Sequence, residues 1–187
     1  MSKKVIIIHG YDSAPTKTKY TLISMALTER EIEHVIPALP GREHPNHKEW
    51  LEIINKEVQS ATQPVVLVGH SLGTRAALLY LDQFDVKIDT VILIASFNNA
   101  TENRSDGYAN FFEHPLDLEK VKSRAKKFIV LHSKDDSAID YKEGTMIAEE
   151  LGAELITYED KGHLSDSEDA EGNAKIFIEI ITSVAQQ

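Results

Sequence analysis

Val65-Val66-Leu67-Val68-Gly69-His70-Ser71-Leu72-Gly73 is the stretch on which the reading turns. Four consecutive apolar residues run into a glycine. A serine set two residues from each of two glycines then leads into Thr74-Arg75-Ala76-Ala77-Leu78-Leu79, a segment of helix formers. A continuous apolar run suits a strand covered on both faces, as in a parallel sheet. Gly-x-Ser-x-Gly between such a strand and a helix describes a sharp turn that lifts the serine hydroxyl clear of the sheet. The glycines leave room for neighbouring backbone, and the helix N-terminus brings its positive end to the serine. A serine that merely caps a helix is the plainer alternative; strand and helix in register with the motif favour a reactive serine.

The same kind of run recurs along the chain. Strands are expected at 5–9, 33–38, 65–69, 90–95, 128–132 and 154–158, separated by stretches of helical periodicity. That alternation predicts an α/β fold, a three-layer α/β/α sandwich whose six strands are mainly parallel. Asn46 followed by Glu49 signals a helix start, with Trp50, Ile53, Ile54 and Val58 at core spacing. Asp140 with Glu143 repeats the signal, and Gly152 stands where a helix would stop. Pro115 is read as opening a helix through Leu116, Val121 and Ala125, and the last helix as running from about 171 to 184. No repeat or linker interrupts the pattern, so 1–187 reads as one domain.

Segment 97–114 breaks the pattern: it is polar, rich in Asn, and carries Tyr108, Phe111 and Phe112 without a period. Following the fourth strand, it belongs at the carboxyl ends of the strands, where open α/β sheets bind ligands. It reads either as a short lid that touches substrate through Tyr108, Phe111 and Phe112, or as a surface excursion whose aromatics fill the core.

Composition narrows the function classes. With 42% hydrophobic and 27% charged residues, the 187-residue chain can bury a full core. A formal charge of −10 opposes binding to nucleic acid or to an anionic membrane surface. There is no cysteine, hence no disulfide, thiolate metal site or redox pair, which suits a reducing compartment. Lys3-Lys4 precede only Val5 to Ile8 before His9-Gly10, too short for a signal-peptide core. The expected setting is soluble and cytoplasmic, with no cofactor and no metal.

A serine hydroxyl is a weak nucleophile near neutral pH and needs a base, which in turn needs a partner to fix its tautomer. Of eight histidines, His163 lies in Asp160-Lys161-Gly162-His163-Leu164, past the sixth strand and before the last helix. Asp135 and Asp136 end the fifth strand, so both stand at the same carboxyl edge. Serine, acid, histidine is the chain order that hydrolases with a strand-turn-helix serine use. His9 is expected to shape the loop after the first strand, His70 to border the substrate, and His132 to stand at a strand end beside the cleft. His44 and His47 flank Pro45-Asn46, but no third metal ligand is suitably spaced. The amide of Leu72, and that of Tyr11 or Asp12, are the expected oxyanion donors.

The chain resembles the small serine hydrolases grouped with the vertebrate retinoblastoma-binding protein and its bacterial YdeN-like relatives. The likeness rests on His9-Gly10 closing the first strand, on GHSLG at 69–73, Gly107-Tyr108, the stretch 115–121, SKDD at 133–136 and DKGHL at 160–164. It implies a reduced α/β-hydrolase sheet lacking the first two strands and without a large cap domain, with Ser71 as nucleophile, Asp136 as acid and His163 as base. The retinoblastoma interaction is not implied, because its motif includes cysteine. The expected activity is hydrolysis of a small-molecule carboxylic ester, and less readily of an amide or thioester, through an acyl-enzyme. Two alternatives belong to other classes. One is a non-catalytic interaction module on the same fold; the other is a flavodoxin-like flavin-binding domain, suggested by Ser13, Thr16 and Thr18.

Overall fold

Alternation along each strand sorts its side chains into two layers. In the computed structural model, which describes residues 2–98 and 106–187, strands β1 (Lys4–Ile8), β2 (His34–Val35), β3 (Val65–His70), β4 (Ile88–Ile94), β5 (Ala125–Ser133) and β6 (Glu154–Tyr158) form one parallel sheet in the order β2-β1-β3-β4-β5-β6. The row Ile6, Leu67, Val91, Phe128 faces one side, and the row Ile7, Val68, Ile92, Ile129 faces the other. Helices α2 (His47–Gln59), α3 (Leu72–Gln83), α4 (Leu118–Ser123) and α5 (Tyr141–Leu151) cover the first row; α1 (Thr18–Glu29) and α6 (Asp166–Ala185) cover the second. Because β1, β3 and β4 are sealed on both faces, their sequences read as unbroken apolar runs. Helix α3 lies deepest: every residue from Leu72 to Leu81 is buried, as befits a helix apolar nearly all round.

Local chemistry explains where the elements differ from expectation. The second strand shrinks to two residues because Pro37 has no N–H for the ladder, which it can avoid only at an edge. Helix α4 starts at Leu118, not at Pro115, because the Asp117 carboxylate accepts from the Lys120 amide at 3.0 Å; Ala125 belongs to β5. Helix α6 begins five residues earlier than expected, at Asp166, where Ser165 and Glu168 form a reciprocal capping box. Asp169 is extended and kinks the next turn.

The described part of segment 97–114 is anchored by a buried cation. Arg75 of α3, 1% exposed, donates to the carbonyls of Phe111 (2.9 Å) and His114 (2.8 Å) and to Asn98 Oδ1 (2.6 Å). Asp106–Phe112 is a short 3₁₀ stretch, and its Phe111 fills the core edge-on to Trp50, with centroids 5.2 Å apart. No helix among the described residues is long and apolar enough to cross a membrane. Replacing Arg75 by Met would take the donor from the buried Phe111 carbonyl and from the partly buried acceptors of Asn98 and His114. We expect roughly 2–5 kcal/mol of lost stability in urea unfolding, and new proteolytic cleavage near 106–114 in the folded protein.

Candidate active site

The turn from β3 into α3 exists because two glycines let backbone touch backbone. A Cβ on Gly73 would collide with the Ile8 carbonyl oxygen, and one on Gly69 would lie 2.6 Å from the Gly73 carbonyl oxygen. Between them Ser71 takes φ 55°, ψ −123°, a conformation costing on the order of 1–3 kcal/mol for an L-residue. The turn is tied down by Ser71 N–H on the Ile94 carbonyl (2.9 Å) and by the Thr74 amide and hydroxyl on the Ser71 carbonyl (2.9 and 2.7 Å). Asp12, Ala95 and Leu164 also have positive φ. All three lie in loops beyond the carboxyl ends of strands, on the same edge as Ser71.

Those loops bring three predicted residues together. His163 Nε2 is 2.9 Å from Ser71 Oγ, and His163 Nδ1 is 2.8 Å from Asp136 Oδ2. Asp136 Oδ1 accepts from the amides of Ala138 and Ile139, both at 2.9 Å, which fixes its rotamer. Asp135 points the other way. It is exposed, accepts from Ser133 Oγ (2.6 Å) and from the Gly162 amide (2.9 Å), and so holds the histidine's loop by its backbone. Glu168 adds a third tie by accepting from the His163 amide at 2.9 Å.

Burial opposes charge on Asp136. Hydrogen bonds from His132, His163 and the Ile139 amide outweigh it and hold the carboxyl well below its ordinary range. His132 is closed to solvent, not beside the cleft as expected; its Nε2–H is shared between the Ile139 carbonyl (3.1 Å) and Asp136 Oδ2 (3.4 Å). His70 borders the cavity at 5% exposure, but its Nε2–H is engaged by the His163 carbonyl at 2.9 Å. Burial, with Lys19 and His163 close by, pushes its imidazole far below the usual value, so it is a neutral buttress. His9, also lowered by burial, accepts from the Leu39 amide at 3.2 Å and faces its neighbour's carbonyl, Gly10 O, through Nδ1 at 2.9 Å. His47 hydrogen-bonds Asn110 instead of pairing with His44.

A cavity of about 190 Å³ opens beside Ser71 and His163, below the roughly 300–1,000 Å³ of drug-sized pockets. Ser13, Lys17, Ser165, Asp166 and Ser167 line it, and among the described residues it has no aliphatic wall. Tyr11 borders it and meets Tyr108 edge-on, with centroids 4.9 Å apart. Phe111 is fully buried and Phe112 stacks on Phe97 at 5.5 Å, so the expectation that Phe111 touches substrate gives way to a place in the core. The remainder of the expected lid, 99–105, lies outside the described residues.

A family model described as serine hydrolase matches residues 5–173. The chain belongs to that family. YdeN of Bacillus subtilis is 27% identical over 173 residues, covering 90% of this chain and 89% of its own. Serine hydrolase RBBP9 of Rattus norvegicus is 27% identical over 119 residues, which span 64% of this chain and 62% of the rat protein. The crystal structure of the B. subtilis protein superposes with a TM-score of 0.84 over the whole of both chains at 24% identity. Est1E from Butyrivibrio proteoclasticus shares the fold at 15% identity, with a TM-score of 0.74 over 97% of this chain and 88% of its own. The fold is thus a reduced α/β-hydrolase and the chain is an enzyme of the serine hydrolase class. Strand order alone would also suit a flavin-binding sheet; the turn at Ser71 and the family match do not.

Sequence reasoning missed Lys19 and Glu168 at this site, and it placed His132 beside the cleft without its contact to Asp136. Only Glu168 left a local signal, the Ser165-x-x-Glu168 capping box. Because the native pKa of Asp136 lies below the unfolded one, its contribution is complete above the ordinary value of 3.8 and is lost as pH falls below it. Urea unfolding between pH 2 and 6 is expected to show a shallower acid loss for Asp136→Asn than for the wild type.

Proposed function

We propose that this chain hydrolyses small carboxylic esters through an acyl-enzyme on Ser71. The observation that carries the reading is the unbroken hydrogen-bond chain from Ser71 Oγ through the His163 ring to Asp136 Oδ2, at 2.9 and 2.8 Å. His163 Nε2 takes the hydroxyl proton as Oγ bonds to the acyl carbon. Asp136 keeps the other ring proton on Nδ1 and steadies the imidazolium. The negative charge on the acyl oxygen meets the amides of Leu72, at the start of α3, and Tyr11. Asp12 is the less suitable alternative, because its amide donates to the Arg42 carbonyl at 3.3 Å. His163 then hands its proton to the departing alcohol, and the same ring activates the water that frees the acid and regenerates Ser71.

An alcohol leaves with less protonation than an amine, which places esters ahead of amides. The small cavity supports the finer choice of a compact acyl group with hydrogen-bonding atoms, since polar side chains and the rings of Tyr11 and Tyr20 line it and, among the described residues, no aliphatic side chain does. Fluorophosphonate labelling and hydrolysis of p-nitrophenyl acetate are expected in the wild type and absent in Ser71→Ala, with no change of fold by circular dichroism. Esterase near the wild-type rate in Ser71→Ala would refute the nucleophile. Across a series of p-nitrophenyl esters, kcat/KM is expected to peak at two to four acyl carbons and to fall by at least about tenfold at eight. A steady rise with chain length would remove the compact-acyl reading.

A further inference from the structure

Lys19 is a lysine that the reaction above does not use, and it is 1% exposed. Among the described residues no carboxylate lies in ion-pair contact with its ammonium. Its Nζ instead donates to the Leu164 carbonyl at 2.6 Å and faces His70 Nδ1 at 3.5 Å. The rings of Phe177 and Tyr20 flank it, with centroids at 4.5 and 5.0 Å. Its own amide donates to Asp166 Oδ1 at 2.6 Å, which fastens the start of α1 to the start of α6. A buried ammonium is costly to desolvate, and fixed acceptors must offset that cost.

What it holds is the peptide that follows His163. Leu164 sits at φ 56°, a strained conformation for a branched side chain, and its side chain is fully buried in the layer under α1 and α6. The carbonyl of His163 accepts from His70 Nε2 at 2.9 Å, and the next carbonyl accepts from Lys19. His70 and Lys19 therefore grip two successive peptide oxygens from below, while Asp135 and Glu168 grip the amides of Gly162 and His163. Without the lower grip, the peptide at Leu164 could relax towards negative φ, and the His163 ring would turn away from the line joining Ser71 to Asp136.

We infer that Lys19 is a positioning residue, which clamps the Leu164 carbonyl and thereby aims the His163 imidazole. The groups facing its ammonium are His70 and Tyr20, with Asp166 and Glu168 acting through space. Burial is the larger influence and those two carboxylates the smaller, so the lysine is pushed down to about 7 from its ordinary 10.5. A folded-state value below the unfolded one means that, below about pH 7, the fold carries a charge it would hold more easily unfolded. Removing the amine relieves that charge but leaves the buried Leu164 carbonyl without its donor, so the two effects on stability oppose each other while the aim of His163 is lost.

The kinetic arm of the test rests on the proposed ester hydrolysis; the spectroscopic arm does not. Lys19→Met, matched in volume to the lysine stem, is expected to lower kcat roughly ten- to a hundredfold at unchanged KM. Lys19→Arg, which keeps a buried donor and charge, should recover most of kcat. In proton NMR, the low-field resonance of the proton between His163 Nδ1 and Asp136 should broaden or shift in Lys19→Met and persist in the wild type. Should Lys19→Met fail to fold, Lys19→Gln carries the same readings. Wild-type kcat together with an unchanged resonance overturns the inference and leaves the hydrolase reading standing. A raised KM at constant kcat also overturns it, because Lys19 would then act on substrate. A wild type inert towards esters, whose resonance still responds to Lys19→Met, overturns only the proposed function.

Discussion

Contact between backbones where α3 leaves β3 sets the position of everything at this edge of the sheet. With Gly69 against the Gly73 carbonyl and Gly73 against that of Ile8, the helix begins hard on the ends of β1 and β3. Ser71 is held at φ 55° between them. A larger residue at either glycine would push α3 outward and carry the serine and the Leu72 amide with it. The strain is sustained because α3 is buried along ten consecutive residues and cannot rotate to relieve it. Each large apolar side chain so buried is worth about 1.5–3 kcal/mol, comparable with the local cost of the turn.

The loops at that edge are held by buried cations that face carbonyls. Arg75 secures the carbonyls of Phe111 and His114, and Lys19 secures that of Leu164. A carbonyl is a weaker partner than a carboxylate, but it belongs to the main chain, so the contact fixes where the chain runs. Both cations also lie against aromatic rings, Arg75 over Phe112 at 4.8 Å and Lys19 over Phe177. Ring faces offset part of the hydration lost on burial.

Local patterns in the sequence revealed what local forces decide. Unbroken runs such as 65–68 and 91–94 mark strands because two-sided burial leaves no polar position, and the 69–73 turn marks itself by its glycines. Asn46, Asp140 and Gly152 cap helices through their own backbone neighbours. Long-range contacts left no such trace. Lys19 and Leu164 are 145 positions apart, and a lysine near a helix start looks like any solvated lysine. His132 reads as a strand-end residue until α5 packs over it with Gly144 against its ring. Phe111 looked like a lid residue because the groove it fills, beside Trp50, is made by an element some sixty positions earlier.

The adjacent acids at 135 and 136 show how one strand end performs two tasks. Both lie in the turn that follows β5, closed by the Asp136 amide on the Ser133 carbonyl at 3.3 Å, and the turn sends the two neighbouring side chains to different parts of a facing loop. Asp136 turns inward and meets the ring of His163; Asp135 turns outward and meets the amide of Gly162, one residue before it. Ser133 links the two sides by donating to Asp135 and accepting from the Lys161 amide at 2.8 Å. The inward acid sets the tautomer and plane of the imidazole, whereas the outward acid sets the height of the backbone that carries it. Neither can replace the other. The carboxylate at 136 meets the imidazole and the one at 135 meets the backbone that carries it, so position in the turn, not chemistry, divides the work between two identical residues.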